Sequence, residues 1–348
     1  MFVGFVLALG MSVVQATPRD PIIVAGLFDL TGGGAIWGQS ERNAFLLACR
    51  EFEAKNPDIK VSSLVEDTMF SSKQTVTALQ KLTSINKIKF IIGATWETTV
   101  PMLPICEAKK VVCISPSYHG KEYYTRPHRY SFTAWFDDRG YTTALVRQMN
   151  ERGYRKVAIF SAITPYYDSL VDNFLPQSRA EIVTNERMVL EERDFRALIT
   201  KTPSDVEAVL MLLDNAGQIQ AFLKQWSELR RDRPAIYTDD LIAYLDPPED
   251  VKRYGFPIYR SAPDLDPDRS RAFAARYDAE FKKAPEGSSA AVAYDETMLL
   301  LECIKRDGDV EAVRSCIAST ERYDGFSGVF SFNGGQTVTD RSISVKEF

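Results

Sequence analysis

Residues able to hold a small polar molecule recur at one kind of place in this chain, just after a short apolar run. Thr98 and Thr99 follow Ile91-Ile92-Gly93 and open a helical stretch. Their hydroxyls and the free N–H groups of a helix start can hold an anion or a carbonyl, or they are plain caps. Ser117, Tyr118 and His119 follow the run from Val111 to Ile114. The His119 imidazole can donate to a carboxylate or an amide, or stand in a surface loop. Asp214 and Asn215 end the run Ala208 to Leu213, and Asp239 and Asp240 end Ala235 to Thr238. A carboxylate in a closing cleft gains strength as water leaves, although an acidic pair is also what a helix start favours. Trp37 follows Gly32-Gly33-Gly34, where a large ring is not expected as simple core. Trp96 and Glu97 precede Thr98; if Glu97 faces inward, two carboxylates meet one ligand and a cation is favoured.

The motifs of catalysis are absent from the sequence. No Gly-x-Ser-x-Gly, His-Glu-x-x-His or Cys/His pair occurs. No Gly-Lys-Ser/Thr follows the glycines, which excludes a phosphate-binding P-loop. With no C-x-x-C and only two histidines, His119 and His128, a zinc site is not expected. The reading is a binding protein without cofactor or metal, and not an enzyme.

The elements that must position these residues alternate. Strands are expected at Ile22–Leu27, Val61–Val65, Lys89–Ile92 and Val111–Ile114, with helices at Ser40–Ala54, Ser72–Ile85 and Thr98–Lys109 between them. Pro101 falls in the last helix's first turn, where its missing N–H costs little. The rhythm restarts after residue 138. Helices are expected at Arg139–Gly153, Leu170–Ser178, Phe195–Lys201 and Gln218–Leu229, with strands at Lys156–Ser161, Glu181–Arg187, Ala208–Leu213 and Ala235–Thr238. Asp246-Pro247-Pro248 and Ala262-Pro263-Asp264 mark loops. Helices at Ser289–Lys305 and Asp309–Ser319, a strand at Gly328–Phe332 and a hairpin-type turn at Asn333-Gly334-Gly335 complete the chain. Alternation of this kind argues for parallel sheets with right-handed crossovers.

Length supports two such units, since 348 residues exceed one ordinary core. A net charge of -5 with mixed signs makes nucleic acid a poor partner. Residues 1–17 read as a signal peptide, an apolar stretch ending in Val14-Gln15-Ala16. No later stretch is long and apolar enough to span a membrane, so direct membrane insertion is not expected. Export would place Cys49, Cys106, Cys113, Cys303 and Cys316 in an oxidising compartment. Cys303 and Cys316 flank a turn signal, Lys305 to Asp309, and can face each other; five reduced cysteines are the alternative.

Several segments together resemble the type I substrate-binding proteins of branched-chain amino acid and amide ABC transporters. They are Leu30 to Gly38, Ser72-Lys73-Gln74, Ile91-Ile92-Gly93 with Ile114-Ser115-Pro116-Ser117, Arg193-Asp194-Phe195 with Leu198-Ile199, and Phe326 to Gly335. Tyr118 to Tyr123 resembles the amide-binding branch. The resemblance runs from about Pro21 to Asp340. It implies an α/β fold of two doubly wound, Rossmann-like lobes. Three crossovers are expected near 135–139, 257–265 and 327–335. The implied lobes are 18–137 with 263–328, and 138–262 with 329–348. The implied site is the cleft between them. Trp37 matches an aromatic that lids the ligand. Ser117 and His119 match positions that hold its polar head. Tyr166 and Tyr167 fall where the family carries a Tyr-Gly pair, and Asp240 matches an acid that pairs with an ammonium group. The expected ligand contacts are Trp37, Trp96, Thr98, Thr99, Ser117, Tyr118, His119, Tyr166, Asn215 and Asp240.

The function this implies is periplasmic capture of a small polar molecule, amino-acid- or amide-like, by hinge closure. Delivery would be to the membrane permease of an ABC importer. The alternative is a ligand sensor of the same fold that signals to a regulator or receptor.

Overall fold

The computed structural model describes residues 20–93, 95–126, 128–244, 249–338 and 340–348. The segment expected to be a signal peptide, residues 1–17, and Asp246-Pro247-Pro248 lie outside the described residues.

The first lobe opens with β1 (Ile22–Phe28), α1 (Ala35–Lys55), β2 (Val61–Asp67), α2 (Ser72–Gln80), β3 (Phe90–Gly93), α3 (Trp96–Lys109), β4 (Val112–Ile114), α4 (Glu122–Thr125) and β5 (Ser131–Phe132). The second follows with α5 (Asp138–Glu151), β6 (Lys156–Ala162), α6 (Pro165–Phe174), β7 (Glu181–Met188), α7 (Arg196–Lys201), β8 (Ala208–Leu212), α8 (Ala216–Leu229), β9 (Ala235–Thr238), α9 (Glu249–Lys252) and β10 (Ile258–Pro263). The chain then returns with α10 (Pro267–Phe281), α11 (Ser289–Arg306), α12 (Val310–Ala318), β11 (Tyr323–Gly325) and β12 (Gly328–Phe330), and ends in β13 (Ile343–Glu347).

The inner strands β1, β3, β4, β6, β8 and β9 are buried on both faces, which is why they read as continuous apolar runs, whereas the edge strands β2 and β7 are half-exposed. Val24 and Phe28 of β1 pack under α1 and α11, while Ala25 and Leu27 point to α2 and α3. Ala158 and Phe160 of β6 face α7 and α8, and Val157 and Ile159 face α5 and α6. The first sheet runs β2-β1-β3-β4-β5 and the second β7-β6-β8-β9-β10-β13, the same winding twice with one antiparallel strand added. In each sheet the order reverses between two neighbours, β1 and β3, then β6 and β8. Ligands of doubly wound sheets sit beyond the strand ends at such reversals.

Three crossovers join the lobes and lie side by side. Thr133 in the first bridges Thr337, and Asp264 N–H in the second donates to Ser342 O of the third at 3.0 Å. Their positions differ from expectation. Residues 258–263 form β10 rather than a loop, so the second crossover is short. Phe330, Phe332 and Val338 belong to the first lobe's core, so the last passage follows Val338 rather than residue 328. The expected turn at Asn333-Gly334 forms, both residues left-handed at φ 48° and 87° and Gly335 N–H donating to Phe332 O at 2.8 Å, and a second turn, Phe326-Ser327, joins the paired Gly325 and Gly328. Helix α10 has no counterpart in the sequence reading because only Phe273 and Tyr277 of it are buried, too narrow a stripe to stand out among charges.

Cys303 and Cys316 form a disulfide between α11 and α12, and Cys106 and Cys113 form another between α3 and β4. Cys49 is buried and free.

Candidate functional site

Asp29, just past β1, organises the first lobe's rim. It is fully buried and accepts hydrogen bonds from the hydroxyls of Thr68, Thr95 (2.5 Å) and Thr98 (3.2 Å), tying the ends of β1, β2 and β3 together. Helix α1 must start against this residue. A Cβ on Gly38 would stand 2.3 Å from the Asp29 carbonyl oxygen, so only glycine lets the helix approach. That approach sets Trp37 at the cleft. Across from it, Met69 and Phe70 adopt left-handed backbone at φ 55° and 51°. The turn lays the Phe70 ring against Gly33 and Gly34 and edge-on to Trp96 at 5.5 Å.

The first turn of α3 divides its side chains. Trp96 faces the cleft. Glu97 turns away and accepts from Ser72 N–H at 3.1 Å and from the Ser72 hydroxyl, capping α2. The direction of Glu97, open in the sequence, is thereby settled among the described residues: its carboxylate serves a neighbouring helix start. Thr98 bonds Asp29, and the Thr99 hydroxyl lies 2.7 Å from that of Ser115, inside the lobe. Neither threonine lines the cavity.

After β4, Ser117 lines the cavity, its Oγ buried against the Glu41 carboxyl. Tyr118 is buried and donates to Glu122. His119 Nδ1 lies 3.2 Å from the Trp135 carbonyl, which can only accept, so Nδ1 carries the proton; Nε2 then accepts from Tyr124 at 2.5 Å. Burial holds this imidazole down at about 4, hence neutral. Tyr118 and His119 therefore brace the rim and do not line the cavity; Trp135 above His119 does.

In the second lobe α6 starts earlier than its apolar pattern suggested, at Pro165, with Thr164 capping Tyr167 N–H at 3.1 Å. This puts Tyr166 and Tyr167 in the first turn, facing the cavity. Asp214 follows β8 and also lines it. Asn215 does not: it caps α8, accepting from Gln218 N–H at 3.1 Å and from Arg193 at 3.0 Å. Asp239 and Asp240 follow β9, and Asp240 is ion-paired with Arg260 of β10. Burial pushes the Asp214 carboxyl up to about 6 and that of Asp239 up to about 7, the latter with help from Asp240 and Asp214.

The cavity between these rims measures about 150 Å³. Of the ten residues expected to touch a ligand, Trp37, Trp96, Ser117, Tyr166 and Asp240 meet there; Thr98, Thr99, Tyr118, His119 and Asn215 do not. Phe70, Trp135, Tyr141, Leu241 and the start of α11, Gly287-Ser288-Ser289, complete the wall. Phe70 needed a left-handed turn to reach it, and Tyr141 and Ser289 come from segments with no local signal. Behind Ser117 and Ser289 lies Glu41, wholly buried, its carboxyl pushed up to about 7 by burial. Among the described residues no cluster of side chains could hold a metal ion, and no helix is long and apolar enough to cross a membrane.

The family model described as "Periplasmic binding protein" matches residues 21–344. Over 201 residues the chain is 29% identical to the leucine-specific-binding protein of Salmonella typhimurium, a match covering 56% of this chain and 54% of that protein. The chain thus spans about half the length of the curated relatives it matches. The fold is similar to the substrate-binding protein LivJ of Streptococcus pneumoniae in complex with isoleucine, at 19% identity and TM-score 0.78, covering 94% of this chain and 100% of that one. It is also similar to a solute-binding protein of Rhodopseudomonas palustris in complex with benzoate, at 17% identity and TM-score 0.78, covering 94% and 93%.

Proposed function

We propose, from the premise that this chain belongs to the periplasmic binding protein family, that it is the solute-binding component of an ABC importer. It would be exported by a leader at residues 1–17, which is then removed. In the periplasm it would capture a small amino-acid- or amide-like molecule. The observation that carries this reading is the cavity itself. It lies where the carboxyl ends of two like-wound sheets face each other, with wall residues from both lobes. Trp37, Trp96 and Ser117 would grip the ligand from the first lobe, and Tyr166 and Asp240 from the second. Bending at the adjacent crossovers would close the lobes and present a loaded form to a permease. A ligand that binds only the folded state raises the melting midpoint by mass action. A thermal-shift screen of amino acids, amides, amines and aromatic acids, repeated by calorimetry and small-angle scattering, tests the reading. A hit with a contraction of the particle and no turnover supports it; no hit in any class sinks it.

A further inference from the structure

The second lobe's rim carries negative charge that its surroundings leave unbalanced. Asp214 follows β8 and Asp239 follows β9, neighbours in one sheet, and the two carboxyl groups line one cavity and repel each other. Asp240 beside them is matched by Arg260. Asp239 is 4% exposed and accepts the Leu241 N–H at 3.3 Å. The Asp214 carboxyl group has no hydrogen bond or ion pair among the described residues, and burial alone raises its pKa. Among the described residues the cavity lining contains no Lys, Arg or His. Carboxyl groups withdrawn from water this far keep their charge only beside a compensating one and otherwise hold a proton, and the described protein offers Asp214 and Asp239 no cation.

The rest of the wall suits the missing charge. Trp96, Trp135 and Tyr166 present rings to the same space, and aromatic faces attract cations. Ser289, 3% exposed, lines the cavity with a hydroxyl that sits against the buried Glu41 carboxyl and keeps lone pairs to accept from a donor. A volume of about 150 Å³ admits one ring or an aliphatic body of that size.

We infer that the ligand is an organic ammonium ion with a single compact apolar body and no carboxylate, its N–H groups shared between Asp214 and Asp239 and its body held among the rings. The inference rests on the solute-binding reading above and narrows it. A zwitterion would bring its own carboxylate into an acidic cavity, and an aromatic acid would bring only that charge.

Calorimetry of the purified protein against three compounds of one body tests it: phenethylamine as cation, phenylalanine as zwitterion, 3-phenylpropanoate as anion. A parallel set is isoamylamine, leucine and 4-methylpentanoate. In at least one set the amine should bind about tenfold or more tighter than the zwitterion, and the anion should give no heat. Asp214→Asn should weaken the amine about tenfold while leaving the unliganded melting midpoint at neutral pH no lower than that of the wild type; Asp239→Asn is the second variant. Equal or tighter binding of a zwitterion or anion overturns the inference and leaves solute binding standing. Unchanged amine affinity in Asp214→Asn overturns it too. If no compound in these sets or in the wider screen binds, both readings fall together.

Discussion

Replacing Asp239 with asparagine should make the unliganded protein more stable at pH 8 and change it little at pH 4. The carboxyl group is buried, and desolvation first, then the nearby Asp240 and Asp214, moves it from 3.8 to about 7. Between those values the folded state binds more protons than the unfolded state. Its stability contribution is therefore complete below about 3.8 and is lost as pH rises through about 7. The full loss corresponds to about 4 kcal/mol at pH 8, or about 2 if local relaxation halves it. Asparagine keeps an oxygen for the Leu241 N–H and has no charge to desolvate. Asp214 and Glu41 are raised in the same direction, so wild type and variant share most of their slope. The readout is the difference between two urea titrations followed by circular dichroism at pH 4 and pH 8. A variant less stable than wild type at pH 8, or a gain equal at both pH values, would refute the reasoning. It would mean that this carboxylate is held by contacts rather than against burial.

Gly38→Ala should cost about 1–3 kcal/mol, because its Cβ meets backbone of Asp29 that cannot swing aside, and the melting midpoint should drop by a few degrees. Glu97→Gln should leave ligand affinity unchanged and lose about 1 kcal/mol of stability in urea titrations, since Glu97 caps α2 rather than touching the cleft. Reducing the Cys303–Cys316 bridge, which closes a loop of sequence separation 13, should lower stability by about 3 kcal/mol. His119, with both ring nitrogens bonded, should stay neutral to below pH 5 in an NMR titration; its stabilising share is lost as pH falls from 6.5 toward about 4.

The inner strands were legible because burial on both faces leaves them as bounded apolar runs; Ala235–Thr238 was read to its last residue. The double α/β winding followed from their alternation with helices. The site was legible only in part. Residues after a strand do gather at the cleft, but a helix start has several sides, and successive side chains point about 100° apart. Thus Trp96 meets the cavity, Glu97 meets α2, and Thr98 and Thr99 turn into the lobe. Spacing from a strand end does not say which. Phe70 was hidden for a different reason, since its place depends on two left-handed residues that nothing in Thr68-Met69-Phe70 announces. Ser289 and Tyr141 reach the wall from the far sides of two crossovers, and only the closed topology brings them there.

Because the three crossovers lie edge to edge, linked at Thr133–Thr337 and Asp264–Ser342, they act as a ribbon rather than as separate strings. A ribbon flexes easily across its width and resists shear and torsion. In the proposed closure, the motion of one lobe relative to the other would then reduce to nearly a single angle. Occupancy of the cavity would become a scalar that one distance across the cleft mouth can report. A fluorophore pair placed on opposite rims would therefore give the same binding curve wherever it is attached, differing only in amplitude.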